Sequence, residues 1–451
     1  MKWNAIGAGL ISLSLLISAC QSDQLNDSGI QLDAQLAQQL ERHAYGKGLA
    51  YFQLPESDDY DKIPQDPRNP LTKEKVRLGE LLYHETGLAL APMQAVGEGT
   101  YSCASCHFAD AGFQAGRHQG IGEGGEGIGV KGEARQKIST YAEDELDVQP
   151  IRTPTTLNTA YQELMLWNGQ FGAGGANAGT EFAWKAGTPI ENNNLGYQGL
   201  EIQAIAGLNV HRLVVDTAFL RKTGYAELFD NAFSDWPEER RYTRETAGLA
   251  IAAYERTLFA NQAPFQRWLR GEYQAMTDME KAGALVFFGK ARCVSCHTGP
   301  ALSSMEFHAL GMEDLFQCPE PTFKASAEDG ANLGRGGFTN RPEDMFKFKV
   351  PQLYNLFDSP FYGHGASFRS IRDVVTYKNE AIPQKPGIPR AQLAREFVPL
   401  NLEESEILAI TAFLENALYD PNLRRYEPEV LPSGLCFPVS DPLSKAHLGC
   451  E

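Results

Sequence analysis

Two strings in this chain have the composition and spacing of a reactive site: Cys103-Ala104-Ser105-Cys106-His107 and Cys293-Val294-Ser295-Cys296-His297. Two thiols so spaced add to the vinyl groups of a porphyrin, and the histidine that follows reaches the iron, so each string reads as an attachment site for c-type haem. The chain has 8 Cys and 9 His in 451 residues. At that composition chance supplies roughly 0.003 such strings, so the pair is not a coincidence. A thioredoxin-like redox pair would not need the histidine and would sit on a βαβ unit that neither flank contains. A shared zinc site would hold its two cysteine pairs about 15–20 residues apart, whereas nearly half the chain separates His107 from His297. Cys103, Cys106, Cys293 and Cys296 are therefore expected to carry two covalent haem c groups, with His107 and His297 as axial ligands.

The elements that must position these strings are helical. Thr72 is placed to cap a helix carrying Val76, Leu78, Leu81 and Leu82. Thr277-Asp278-Met279-Glu280 forms a capping box before a helix through Ala284, Leu285 and Phe288. Leu78-Gly79-Glu80-Leu81-Leu82-Tyr83 before the first string matches Ala282-Gly283-Ala284-Leu285-Val286-Phe287 before the second. Each glycine would let another helix approach closely, and each aromatic would close over apolar surface. A weak helical stretch lies around Leu32 to Arg42, and a last amphipathic helix spans about Leu402 to Leu418. The glycine-rich segments 120–132 and 171–197 read as loops. Neither has the strand–loop–helix setting or Lys-Ser/Thr pair of a phosphate cradle. Strand signals are few.

Lys2 precedes an apolar run from Ala5 to Leu16, too short for a membrane span and suited to a signal peptide. Ile17-Ser18-Ala19-Cys20 resembles the lipobox of bacterial lipoproteins, which makes Cys20 the expected lipidated N-terminus and places the protein in the periplasm, anchored by lipid to a bacterial membrane. A net charge of −17 argues against nucleic acid and could steer a basic electron carrier, although solubility alone also accounts for it. Of Cys318, Cys436 and Cys450, two are expected to pair in an oxidising compartment, and the sequence does not choose which. The expected organisation is a signal peptide (1–19), a lipid tether and arm (20–65), an N-terminal haem domain (66–270), a C-terminal haem domain (271–425) and a tail (426–451).

Around the haem strings, Asn69-Pro70-Leu71-Thr72, Arg152-Thr153-Pro154-Thr155-Thr156-Leu157-Asn158, Trp167-Asn168-Gly169, Gln203-Ala204, Phe307-His308-Ala309-Leu310-Gly311 and Lys349-Val350-Pro351-Gln352-Leu353 follow in order. Together they resemble the bacterial di-haem cytochrome c peroxidase family, MauG-like enzymes included, over about residues 66 to 420. The resemblance implies a mainly α fold of two cytochrome c-like haem domains with long irregular loops. It also implies a peroxide-reacting haem at His107 and an electron-relaying haem at His297.

Cleavage of an O–O bond needs a group that moves a proton and a dipole or charge that stabilises the leaving hydroxide. By the resemblance Gln203 supplies one such group. The family glutamate about ten residues on has no counterpart, and the neighbouring His211-Arg212 pair can serve as base and cation instead. The plain reading is that both are surface residues opening a helix with Leu213 and Val214. His118 competes as a distal ligand. Trp167 matches a family tryptophan between the haems, with Asn168 and Gln170 replacing its usual Asp and Arg neighbours and the insertion after Phe171 lengthening the chain to Gln203. At the second haem, the family's sixth-ligand position falls on Lys378, with Tyr377 beside it. Ile371, Val374, Val375 and Lys378 share one helical face. A neutral, desolvated lysine could ligate iron; otherwise Lys378 snorkels and Tyr377 or Met345 takes the site. Arg152 stands where the family has an asparagine near a calcium site, which counts against calcium here.

The leading expectation is reduction of hydrogen peroxide to water with electrons from a small cytochrome c or cupredoxin. The alternatives are a MauG-like oxidase that modifies a partner protein with peroxide, and a non-enzymatic di-haem electron carrier. A homodimer is compatible with either enzyme.

Overall fold

The computed structural model describes residues 29–450; the expected signal peptide and lipidated Cys20 lie outside the described residues. The chain is mainly helical. Helix α1 covers 29–41, followed by α2 (Lys73–His84), α3 (Gly199–Val210), α4 (Thr217–Thr223), α5 (Tyr225–Ala232), α6 (Arg244–Glu255) and α7 (Pro264–Leu269). Then come α8 (Asp278–Phe288), α9 (Arg335–Thr339), α10 (Ile371–Glu380), α11 (Glu404–Ala412) running into a π-turn at Phe413–Ala417, and α12 (Pro442–Leu448). Two antiparallel ladders of two residues each, β1 (Gly125–Glu126) with β2 (Gln136–Lys137) and β3 (Phe307–His308) with β4 (Phe348–Lys349), pin loops rather than build a sheet.

Both expected caps form. Thr72 accepts from the Lys75 amide, and Thr277 and Glu280 exchange side-chain and backbone bonds as a capping box. Each helix so started crosses a later one at its glycine. A Cβ on Gly79 would fall inside the Ala250 carbonyl of α6 and lie 2.9 Å from Tyr254 Cβ. A Cβ on Gly283 would fall inside the Ala409 carbonyl of α11 and lie 2.9 Å from Phe413 Cβ. Only glycine permits these backbones to touch, so the internal repeat read from sequence is a repeated helix crossing.

The repeat continues through residues whose equivalence was not apparent in the sequence. His107 Nδ1 is 3.1 Å from the carbonyl of Phe113, and His297 Nδ1 is 3.0 Å from that of Leu302. Both acceptors have positive φ, the tight return that brings a carbonyl back over the imidazole. Downstream, Arg152-x-Pro154 with Asn158 corresponds to Lys349-x-Pro351 with Asn355. Both asparagines are left-handed and donate their amides to Leu258 and Leu418, just beyond the second helix of each pair.

A continuous apolar core runs through both helix pairs and includes Leu36, Leu40, Phe52 and Leu54 of the N-terminal arm. The arm is docked on the second pair: Gln39 Nε2 donates to the Phe288 carbonyl and Lys281 pairs with Asp33 at 2.8 Å. Helix α3 is held against α6 by a fully buried Arg256–Glu201 pair at 2.7 Å. Removing one partner of such a pair leaves an uncompensated buried charge at a cost of about 3–5 kcal/mol. This fastening fixes the helix that carries Gln203. The tail crosses the first haem string: Ser102 and Ser105 hydroxyls donate to the Pro438 carbonyl, and a buried Arg135–Asp441 pair and the Cys436–Cys450 disulfide secure it. Cys318 remains a free thiol.

Candidate functional site

Both string histidines turn Nδ1 to a backbone carbonyl, so Nε2 is the nitrogen available to a metal in each. Burial pulls both imidazoles down to about 4, which keeps them neutral, the form that ligates. The four string thiols are not paired with one another as disulfides. Unpartnered buried polar atoms lie around both strings. Among the described residues, Tyr101 Oη and Gln203 Oε1 near the first and Arg152 Nε near the second have no hydrogen-bond partner. A polar prosthetic group beside each string would meet these atoms, so the residues fit haem.

At the first string the glycine-rich loop closes in. A Cβ on Gly120 would lie 3.2 Å from Cys106 Sγ, and the Gly122 amide donates to the Asp147 carbonyl. Helix α3 points one face here: a Cβ on Gly207 would sit 3.6 Å from Gln203 Nε2 and 3.8 Å from His211 Cδ2, so Gln203 and His211 flank one position. His211 is the C-cap of α3, not the start of a further helix. Its Nδ1 is 2.8 Å from Asp147 Oδ2. Burial lowers the His211 pKa, but the charge and hydrogen bond of Asp147 outweigh it and raise the imidazole above 6.5. Burial likewise pushes Asp147 up, and His211 with Arg212 outweighs it and holds the carboxyl below 3.8. Arg212, with positive φ, is turned onto the buried Glu123, which also accepts from Tyr141 Oη. Gln203 and His211 thus share one face of α3, on either side of Gly207, whereas the Arg212 guanidinium is engaged on Glu123 and the Glu145 carbonyl. His118 is drawn elsewhere, its Nε2 2.8 Å from the Pro321 carbonyl. Asp147 was missed in the sequence because 64 residues separate it from His211 and no local pattern marks the pair.

A mostly apolar cavity opens beside His297. The stripe Ile371, Val374, Val375 and Lys378 lines it as the periodicity predicted, with Arg152, Trp167, Lys349 and Met312. Burial pushes both Lys349 and Lys378 down to about 8. Lys349 Nζ donates to Gln162 Oε1 at 2.7 Å. Tyr377 faces the other way, its hydroxyl donating to the Leu310 carbonyl at 2.6 Å among Phe368 and Phe397. Met345 packs against Gly336 and does not line this cavity.

The two sites meet at residues 152–155. Arg152, Pro154 and Thr155 line the His297 cavity, while Pro154 is also a backbone partner of His107. Trp167 Nε1 donates to the Arg152 carbonyl at 2.8 Å, and its ring stands edge-on to His364 with centroids 6.3 Å apart. The Phe171 insertion is looped out. Met165 N bonds Phe171 O, Ala173 N bonds Tyr197 O and Gly199 N bonds Glu163 O, so α3 starts beside Trp167's own segment. Chain length between Trp167 and Gln203 therefore adds little distance in space.

The profile of the di-haem cytochrome c peroxidase family matches residues 73–274. A methylamine utilization protein MauG of Methylophilus methylotrophus is 30% identical over 362 residues, 79% of this chain and 86% of that protein. The chain belongs to the di-haem cytochrome c peroxidase family. A cytochrome-c peroxidase of Denitromonas iodatirespirans, IdrP1, is 29% identical over 78% of this chain and 84% of that one. The crystal structure of a MauG-like protein associated with microbial copper homeostasis superposes with a TM-score of 0.54 at 24% identity, covering 82% of this chain and 95% of that one, which supports the common fold. Family membership makes this chain a peroxidase-type oxidoreductase of the two-haem class. No helix among the described residues is long and apolar enough to cross a membrane.

Proposed function

We propose that this protein reduces hydrogen peroxide to water at the His107 haem, with electrons entering through the His297 haem from a small periplasmic cytochrome c or cupredoxin. The observation that carries this reading is the Gln203–His211–Asp147 arrangement beside the first string, a set able to handle protons. Cys103 and Cys106 would hold one haem covalently, and Cys293 and Cys296 the other, in modules 66–270 and 271–425. Arg152, with its unpartnered Nε, and Lys349 are among the cations that could meet haem carboxylates in the second site. A buried guanidinium at position 152 also supplies positive charge where a calcium ion would bring it, so no calcium is required.

The haems, when bound, supply iron chemistry and electron storage. Overall, peroxide, two protons and two electrons give two waters. Gln203 would orient peroxide through its amide. His211 would take the proton from the near oxygen at Nε2 and deliver it to the departing one, while Asp147 holds the ring and stabilises its charged form. Arg212 positions Glu123 and the adjoining loop. Trp167, between the sites, would pass the electron. Cys20 would anchor the chain to a membrane in the periplasm.

The test is mixing half-reduced protein with peroxide and a reduced small cytochrome. Catalytic donor oxidation at two electrons per peroxide supports the proposal. A stable two-haem oxidised state without donor turnover points instead to modification of a partner protein, and no spectral response leaves an electron carrier.

A further inference from the structure

The cavity beside His297 contains several side chains with lone pairs, and most are oriented by hydrogen bonds or packing against other protein groups. His308 Nε2 lies 3.6 Å from Cys296 Sγ and 3.1 Å from Glu306. His364 gives Nε2 to Asp314 at 2.9 Å and stacks on Phe348 with centroids 3.6 Å apart. The Tyr362 hydroxyl donates to the Leu356 carbonyl, Lys349 bonds Gln162, and Lys385 pairs with Asp314. Met312 Sδ is seated 3.3 Å from where a Cβ on Gly363 would be, against the turn 363–366 and within the Phe368–Phe397 cluster.

Lys378 Nζ is held by no such bond. Among the described residues it has no hydrogen-bond acceptor and no carboxylate partner, and it lies 5.9 Å from the centroid of the Phe397 ring. Lys378 lines the same cavity as Cys293, Cys296 and His297, so its side chain borders the region that the haem string encloses. An ammonium left there would be a desolvated charge without a partner, which is costly. An amine whose lone pair is donated to a cation removes that cost. Helix α10 keeps the residue in place: Ser370 caps it by accepting from the Asp373 amide, and Ile371 and Val375 anchor the same face.

We propose that Lys378 Nζ is the sixth ligand of the haem iron held by His297, making that haem a closed, low-spin electron relay. The inference rests on the two-haem reading above and adds the identity of the ligand. The bond formed is nitrogen to iron; one proton passes from the ammonium to solvent water, and nothing is oxidised or reduced.

The test is spectroscopic and independent of peroxide turnover. Haem content at two per chain is measured first, since its failure would refute attachment and not ligation. The ferric wild-type protein is then compared with Lys378→Met and Lys378→Ala by electron paramagnetic resonance and near-infrared magnetic circular dichroism. The proposal expects a low-spin haem in the wild type whose near-infrared band is that of histidine–amine ligation. Lys378→Met should acquire a thioether charge-transfer band and a higher reduction potential, and Lys378→Ala should lose the low-spin signal. A thioether band in the wild type would assign the position to Met312 and overturn the proposal. So would a low-spin spectrum unchanged in both variants, or a high-spin His297 haem in the wild type.

Discussion

Replacing His211 by alanine tests the proton-transfer assignment at the first haem. His211 gives Nδ1 to Asp147 at 2.8 Å, so Nε2 alone remains for a substrate proton. A positioned general base contributes about 10²–10⁴ in rate. The His211 side chain is 36% exposed, so water can take over part of the task. That places the loss near the low end, about 10², equivalent to about 2.7 kcal/mol of transition-state stabilisation. Asp147→Asn keeps the shape and removes the charge. Exchanging a charge-assisted hydrogen bond for a neutral one costs about 1–1.5 kcal/mol, or roughly tenfold. The assay is kcat/KM for peroxide with a reduced small cytochrome as donor, with haem content and ferric spectrum as controls. Added imidazole should restore part of the activity of His211→Ala and none of Gln203→Leu. If His211→Ala with both haems in place stays within a factor of about two of the wild type, the general-base reasoning fails for this residue.

The same pair sets a pH dependence. The neutral form of His211 is the base, so the rate should fall as pH drops through the imidazole pKa, which Asp147 raises above 6.5 against the effect of burial. Asp147→Asn should move that acid limb to lower pH, visible in a pH–rate profile. For stability the sign differs. The raised His211 contributes fully below pH 6.5 and loses its contribution as pH rises through its folded value, while the lowered Asp147 contributes above pH 3.8 and loses it as pH falls. Gly79→Ala and Gly283→Ala should each force a helix pair apart, at about 1–3 kcal/mol, seen as a melting temperature lower by about 2–6 °C. Cys436→Ser opens a loop with a sequence separation of 14, worth about 3 kcal/mol; the tail should become protease-sensitive and the first haem string less protected. Trp167→Phe should slow electron passage between haems in stopped-flow spectra while leaving both ferric spectra unchanged.

The strings, the helices before them and the glycine crossings were legible because each depends on residues within one turn or one short motif. The stripe from Ile371 to Lys378 was legible for the same reason, and α10 directs it into the His297 cavity. Residues brought together by long loops were not. Asp147 reaches His211 through the loop 120–148, and Arg212 is drawn onto Glu123 by a backbone turn at positive φ. Asn158 and Asn355 share a left-handed conformation that their letters alone do not disclose. The N-terminal arm reads in sequence as a tether with one weak helical stretch, yet Leu36, Leu40 and Phe52 are buried in the core. Few apolar residues suffice when they are spaced along one face.

The central claim is that the two haems are unequal, open opposite His107 and closed opposite His297. Electron paramagnetic resonance of the diferric protein, before and after addition of azide, tests it most directly. The account predicts one high-spin and one low-spin ferric signal in equal amounts, with azide converting only the high-spin one and Gln203→Leu altering only that signal. Two low-spin signals indifferent to azide, or two high-spin signals that both respond, would contradict it.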